Sequence, residues 1–67
     1  MSNFERITLI QGFLERHPRE RSQVFSQTMK HLEKGELALA RNKLRIDADK
    51  FLDKKLVTDF LVTIDLW

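Results

Sequence analysis

The chain has 67 residues, 42% of them hydrophobic and 33% charged, and its 12 Lys and Arg against 10 Asp and Glu leave a formal charge of +2. That balance describes a single small helical domain over residues 1–67 rather than a disordered tail. Having no cysteine excludes a disulfide scaffold, a cysteine-held zinc and a thiol nucleophile, and no apolar run approaches the roughly 18 residues that cross a bilayer.

Ser2 and Glu5 have the spacing of a capping box and open a first helix that runs to about Arg16. Phe4, Ile7, Ile10 and Leu14 recur at three and four residues, with Leu9 and Phe13 as a second pair, so the apolar stripe is wide. Gly12 lowers helix propensity by about 1 kcal/mol; it either lets a neighbouring helix approach closely or is simply tolerated. Pro18 breaks the chain after His17 and suits the first position of a second helix, Pro18 to Lys34. There Glu20 would oppose the helix dipole from the third position. Val24, Phe25, Thr28, Met29 and Leu32 give that helix its apolar spacing, and Gly35 stops it.

From Glu36 onward there is neither Pro nor Gly. Leu37, Ala40, Leu44, Ala48, Phe51, Leu52 and Leu56 fit one long helix, or two shorter ones with a turn at Arg45-Ile46-Asp47. Over the last ten residues Phe60, Val62, Ile64 and Leu66 alternate with Leu61, Thr63, Asp65 and Trp67, and the β-branched content reads as a strand. Helical spacing of Leu56, Phe60 and Ile64 favours a helix over residues 54–62. The expected fold is all-α, a bundle of three to four helices with breaks near 17 and 35; a continuous amphipathic helix after Glu36 is the favoured reading, with a third break near 46 as the alternative. Its expected core is Phe4, Ile7, Ile10, Leu14, Phe25, Met29, Leu32, Leu37, Leu44, Phe51, Leu52, Leu56 and Phe60.

Site chemistry is sparse. His17 and His31 lie fourteen residues apart, which is not the spacing of a metal pair on one helical turn. Asp47, Asp49 and Asp53 share the opening of a calcium loop, but Phe51 and Leu52 stand where its further ligands belong. The chain has no Gly-rich phosphate loop, no G-x-S-x-G and no H-E-x-x-H. No catalytic residue, cofactor or metal is expected, and the chain reads as a non-enzyme.

The stretch Leu39-Ala40-Arg41-Asn42-Lys43-Leu44-Arg45-Ile46-Asp47-Ala48-Asp49-Lys50-Phe51-Leu52 resembles a helix-turn-helix of the bacterial regulator type. The resemblance implies that Ala40 sits where two helices cross, that Leu44, Ile46 and Phe51 pack the pair, and that Asp47 caps the second helix. It also implies a DNA-binding regulator using residues 36–56, with Arg41, Lys43, Arg45 and Lys50 on phosphates and Arg16, Arg19 and Arg21 as a second basic spot. The chain departs from the pattern in two ways. Arg45 stands at the usual turn glycine, and Asp49 and Asp53 would face a polyanion.

At the other end, Ile64-Asp65-Leu66-Trp67 resembles the aliphatic-Asp-Leu-aromatic core of peptides that bind bacterial sliding clamps, with Thr63 in place of the leading Gln. Leu61-Val62-Thr63-Ile64-Asp65 also resembles a clathrin-box peptide. The plainer reading is that Leu66 and Trp67 fold back to complete a small core or a dimer interface. A domain this small buries only about 60% of its unfolded surface and gains from pairing.

The leading expectation is therefore a non-enzymatic protein–protein interaction module, a small homodimeric regulator or adaptor. It would contact its partner through Leu61, Ile64, Leu66 and Trp67. The opening Met1-Ser2-Asn3-Phe4-Glu5 lacks a basic-then-apolar leader, so a cytoplasmic protein with no membrane partner is expected.

Overall fold

The computed structural model describes residues 1–67. Four α-helices, with no strand, follow in order: α1 (Asn3–Arg16), α2 (Gln23–Glu33), α3 (Leu37–Ile46) and α4 (Lys54–Thr63). Short 3-10 turns at Pro18–Glu20 and Ala48–Lys50 lead from α1 to α2 and from α3 to α4. None of the helices is long and apolar enough to cross a membrane. The breaks near 17 and 35 fall where the sequence places them, and α3 ends at Ile46 as in the alternative reading. The continuous helix after Glu36 does not form.

Each helix end has a local cause. The Ser2 hydroxyl accepts the Glu5 N–H at 3.1 Å while the Glu5 carboxylate accepts the Ser2 N–H at 3.2 Å, completing the capping box. The Ser2 backbone N–H, then its hydroxyl, holds the Glu5 carboxyl below the usual carboxylate range. At the far end of α3, the Lys43 ammonium does the same to Asp47 from 2.7 Å, helped by Lys50 at 3.8 Å. Both groups bind protons more readily in the unfolded chain. The stability they contribute is complete above the unfolded pKa of about 4 and is lost as pH falls through the lower folded values. Ser2→Ala should therefore cost about 1 kcal/mol at neutral pH and make the decline in urea midpoint below about pH 4 shallower. An acid decline of equal depth in the variant would mean that the Ser2 backbone N–H, which the substitution keeps, carries the linkage rather than the hydroxyl.

Helix α2 ends at Gly35, whose φ of 75° lies in the left-handed region that glycine adopts without penalty. The Glu36 N–H reaches back to the His31 carbonyl at 2.8 Å and the Gly35 N–H to that of Leu32 at 3.0 Å, the paired bonds of a Schellman cap. The turn folds α3 back onto α2, and this hairpin is the most extensive helix contact in the molecule. Helix α1 packs across α2. α4 closes the core with fully buried Val57 and Leu61.

The core is built around Phe25, with the Phe13 ring at 6.4 Å and the Phe51 ring at 5.8 Å. Ile10, Leu14, Val24, Leu32, Ala40, Leu44, Ala48, Ile64 and Leu66 complete it. Thr28 is fully buried, and its hydroxyl is satisfied by the Val24 carbonyl at 2.8 Å. Of the expected core, Ile7, Met29, Leu37, Leu56 and Phe60 pack only at its margin.

Phe4 and Leu52 are outside it, 77% and 71% exposed. The inward face of α1 is Arg6, Ile10, Phe13 and Leu14. Ile7 is at the edge of that face, and Phe4, three residues back, is turned a further ~60° away. Leu52 follows buried Phe51 in an extended segment, where successive side chains point to opposite sides.

Two further expectations are corrected. The second helix does not start at Pro18: the 3-10 turn ends at Glu20, Ser22 is extended, and the helix proper begins at Gln23. No strand forms at the C-terminus, because the Val57, Leu61 and Ile64 positions bury one helical face and a lone strand would have no partner. Gly12 is not a helix-crossing point either. A side chain there would meet only the Arg16 guanidinium, at 3.4 Å.

Candidate functional site

The residues expected to contact a partner are mostly inside the protein. Leu61 and Leu66 are fully buried, Ile64 is nearly so, and only Trp67 remains half-exposed. Helix α4 ends in a second Schellman cap, in which the Leu66 N–H donates to the Leu61 carbonyl at 2.8 Å and the Asp65 N–H to that of Val62 at 3.2 Å. Here Asp65, at φ 58°, takes the left-handed position that glycine holds after α2. Two arginines fasten the turn. Buried Arg6 donates from Nε to the Ile64 carbonyl at 2.7 Å, and Arg41 donates to the Asp65 carbonyl at 2.7 Å. The Asp65 carboxylate lies 3.7 Å from Arg6 and 3.6 Å from Arg41. Trp67 lies beneath the Arg45 guanidinium, 5.7 Å from its ring centre. The segment resembling docking peptides is thus the clasp that ties α4 to α1 and α3.

The residues given to nucleic acid are engaged in the same way. Arg41 is held at Asp65, Lys43 and Lys50 share Asp47, and Arg45 covers Trp67. The second helix of the helix-turn-helix resemblance is absent from its place. Residues 48–50 form a 3-10 turn, Phe51 is extended, and α4 begins only at Lys54 under the cap of Asp53. The extended lead-in arises because a buried carboxylate holds its backbone.

That carboxylate is Glu20, which is 6% exposed. Its Oε1 accepts the Leu52 N–H at 3.0 Å and its Oε2 accepts the Asp53 N–H at 2.8 Å. The Asp53 carboxylate in turn accepts the Leu56 N–H at 3.2 Å and caps α4. Glu20 thus ties the α1–α2 link to the start of α4 across 32 residues of chain. Sequence reasoning placed Glu20 on a helix dipole and did not single out Arg6. The one available signal for Arg6 was a charged side chain set among the apolar positions of α1.

Fastening the two segments leaves a groove of about 410 Å³ between them, lined by Arg16, His17, Pro18, Arg19, Glu20, Leu52, Asp53 and Leu56. A second hollow, of about 380 Å³, lies at the other end of α1, lined by Asn3, Phe4, Ile7, Leu32, Glu33 and Gly35. The two histidines are far from forming a pair: His17 packs on Phe13 at 4.8 Å, and His31 is hydrogen-bonded to Glu36 at 3.0 Å. No group of three or more His, Asp or Glu is placed to hold a metal ion.

No known protein family matches the chain, and neither a curated protein nor a solved structure is similar to it.

Proposed function

We propose that this chain is a non-enzymatic protein-interaction module, a small regulator or adaptor that pairs with a second copy of itself. The observation that carries this reading is the apolar edge of α1. Phe4 projects 77% exposed beside half-buried Ile7, and the hollow bounded by Leu32 and Gly35 opens next to it. Leu9 adds exposed apolar surface on the same helix, and Met1 just before it. A twofold axis beside Ile7 would let each Phe4 ring enter the other copy's hollow, so one patch is self-complementary. Burying both rings would remove apolar surface from water at about 25 cal/mol per Å². A pairing that rests on this one edge is expected to be concentration-dependent rather than obligate.

Light scattering tests the reading. The full chain should rise from 8.0 kDa toward twice that mass with concentration, and Phe4→Ser should stay monomeric. Because Phe4 is outside the core, the variant should keep its helix content and lose no more than about 0.5 kcal/mol of stability. A wild-type chain that remains monomeric up to about 1 mM, the limit of a −4 kcal/mol association, would refute the pairing.

A further inference from the structure

We infer that a hollow between α2 and α3 binds a compact, multiply charged phosphate anion, a ligand class unrelated to the apolar edge at Phe4. The hollow, of about 310 Å³, is lined by Gln27, Lys30, His31, Lys34 and Lys43. These are three ammonium groups, a histidine and an amide, with neither an acid nor an apolar side chain among them. Gln27, Lys30, His31 and Lys34 follow one another at helical spacing, so a single face of α2 and its cap presents all four. The Schellman turn at Gly35 folds α3 back onto α2, and Lys43 of α3 completes the lining.

Lys30 and Lys34 stand one helical turn apart, and neither has an acidic side chain within ion-pair distance. Glu33, next to Lys34 in the chain, lines the hollow at Phe4 instead. Like charges at this spacing repel, and an anion set among them and Lys43 replaces that repulsion with attraction. The hollow is also bounded. His31 is held by Glu36 at 3.0 Å and Lys43 by Asp47 at 2.7 Å, so an acid stands at each end of the cationic set. Arg41 and Arg45, the other cations of α3, lie outside the lining, Arg41 fastened at Asp65 and Arg45 over Trp67. A nucleic-acid strand needs a track of cations and bases stacked on aromatic rings; a di- or triphosphate needs one cluster. Lysines act on it as point charges, which suits phosphate, whereas the fork that matches a carboxylate belongs to arginine. The lining holds nothing for a base to stack on, so the phosphates themselves are what it recognises.

The test is isothermal titration calorimetry with inorganic triphosphate at low ionic strength and without magnesium. One triphosphate should bind per chain, saturably, and more weakly as salt is raised. Lys30→Gln with Lys34→Gln should weaken binding about tenfold or more. Arg19→Gln with Arg21→Gln removes the same net charge elsewhere on the surface and should leave binding as it is. All four side chains are exposed, so circular dichroism should show intact folds. A nucleoside triphosphate separates the two sources of this chemistry. Equal affinity for the two supports a free polyphosphate as ligand, and tighter nucleotide binding that the lysine pair still controls supports a nucleotide. Failure to saturate, binding that survives loss of the lysine pair, or an equal loss in the arginine pair would overturn the assignment. So would a short oligonucleotide that binds through the lysine pair more tightly than triphosphate does.

Discussion

Leu66→Ala should cost about 3 kcal/mol, within the 2–5 kcal/mol range of buried leucine truncations. Leu66 is fully buried near the chain's end, and its backbone is held in place by the α4 cap and by the Arg6 and Arg41 bonds to the two residues before it. The surroundings are pinned and cannot collapse into the space, so the cavity contribution is near its full size. A domain of this length has a total stability of roughly 3–10 kcal/mol, so the variant should be largely unfolded in mild urea. Trp67→Ala should cost less, because the ring is half-exposed and its main polar contact is Arg45. The measurement is urea unfolding followed by circular dichroism. If Leu66→Ala unfolds at the wild-type midpoint, the C-terminal clasp is not part of the stable fold, and the reading of Ile64 to Trp67 as a docking peptide returns.

Glu20→Ala should cost about 2 kcal/mol, the scale of charge-assisted hydrogen bonds to a single carboxylate. Two backbone donors, of Leu52 and Asp53, lose their acceptor together. Both are only partly buried, so water recovers part of the loss. Glu20→Gln separates charge from shape. The amide oxygen can still accept one N–H, but its NH₂ group meets the other N–H as donor against donor. Gln should therefore rescue little of the Ala effect. Amide hydrogen exchange should speed up first at Leu52, Asp53 and the opening turn of α4. Exchange that speeds evenly over the whole chain would mean that Glu20 supports the core in general rather than this joint.

The carboxylate clamp also shows why part of the site was not legible in the sequence. Glu20 stands among Arg19, Arg21 and Pro18, where local rules offer a helix N-terminus as its partner. Its real partners are 32 and 33 residues away. Arg6 poses the same difficulty over 58 residues. An arginine's neighbours in sequence do not reveal which carbonyl the fold will bring to it.

Local chemistry alone was sufficient for the helix boundaries it controls. Ser2 with Glu5, Pro18 after His17, and Gly35 after Lys34 each act within one turn of chain, and each marks a break that the structure contains. The sequence by itself thus determined a helical fold class and where its first helices end, but not the state of its last ten residues. Only the tertiary structure decided which face of each helix is inside. Phe4 and Phe13 are equally apolar, yet one projects into solvent and the other stacks in the core, because α2 and α4 cover only the Arg6–Ile10–Phe13–Leu14 side of α1. Packing also decided the last ten residues. Their β-branched content favoured a strand locally by a fraction of the ~1 kcal/mol span of that scale, and burying Leu61, Ile64 and Leu66 in the core outweighed it several-fold.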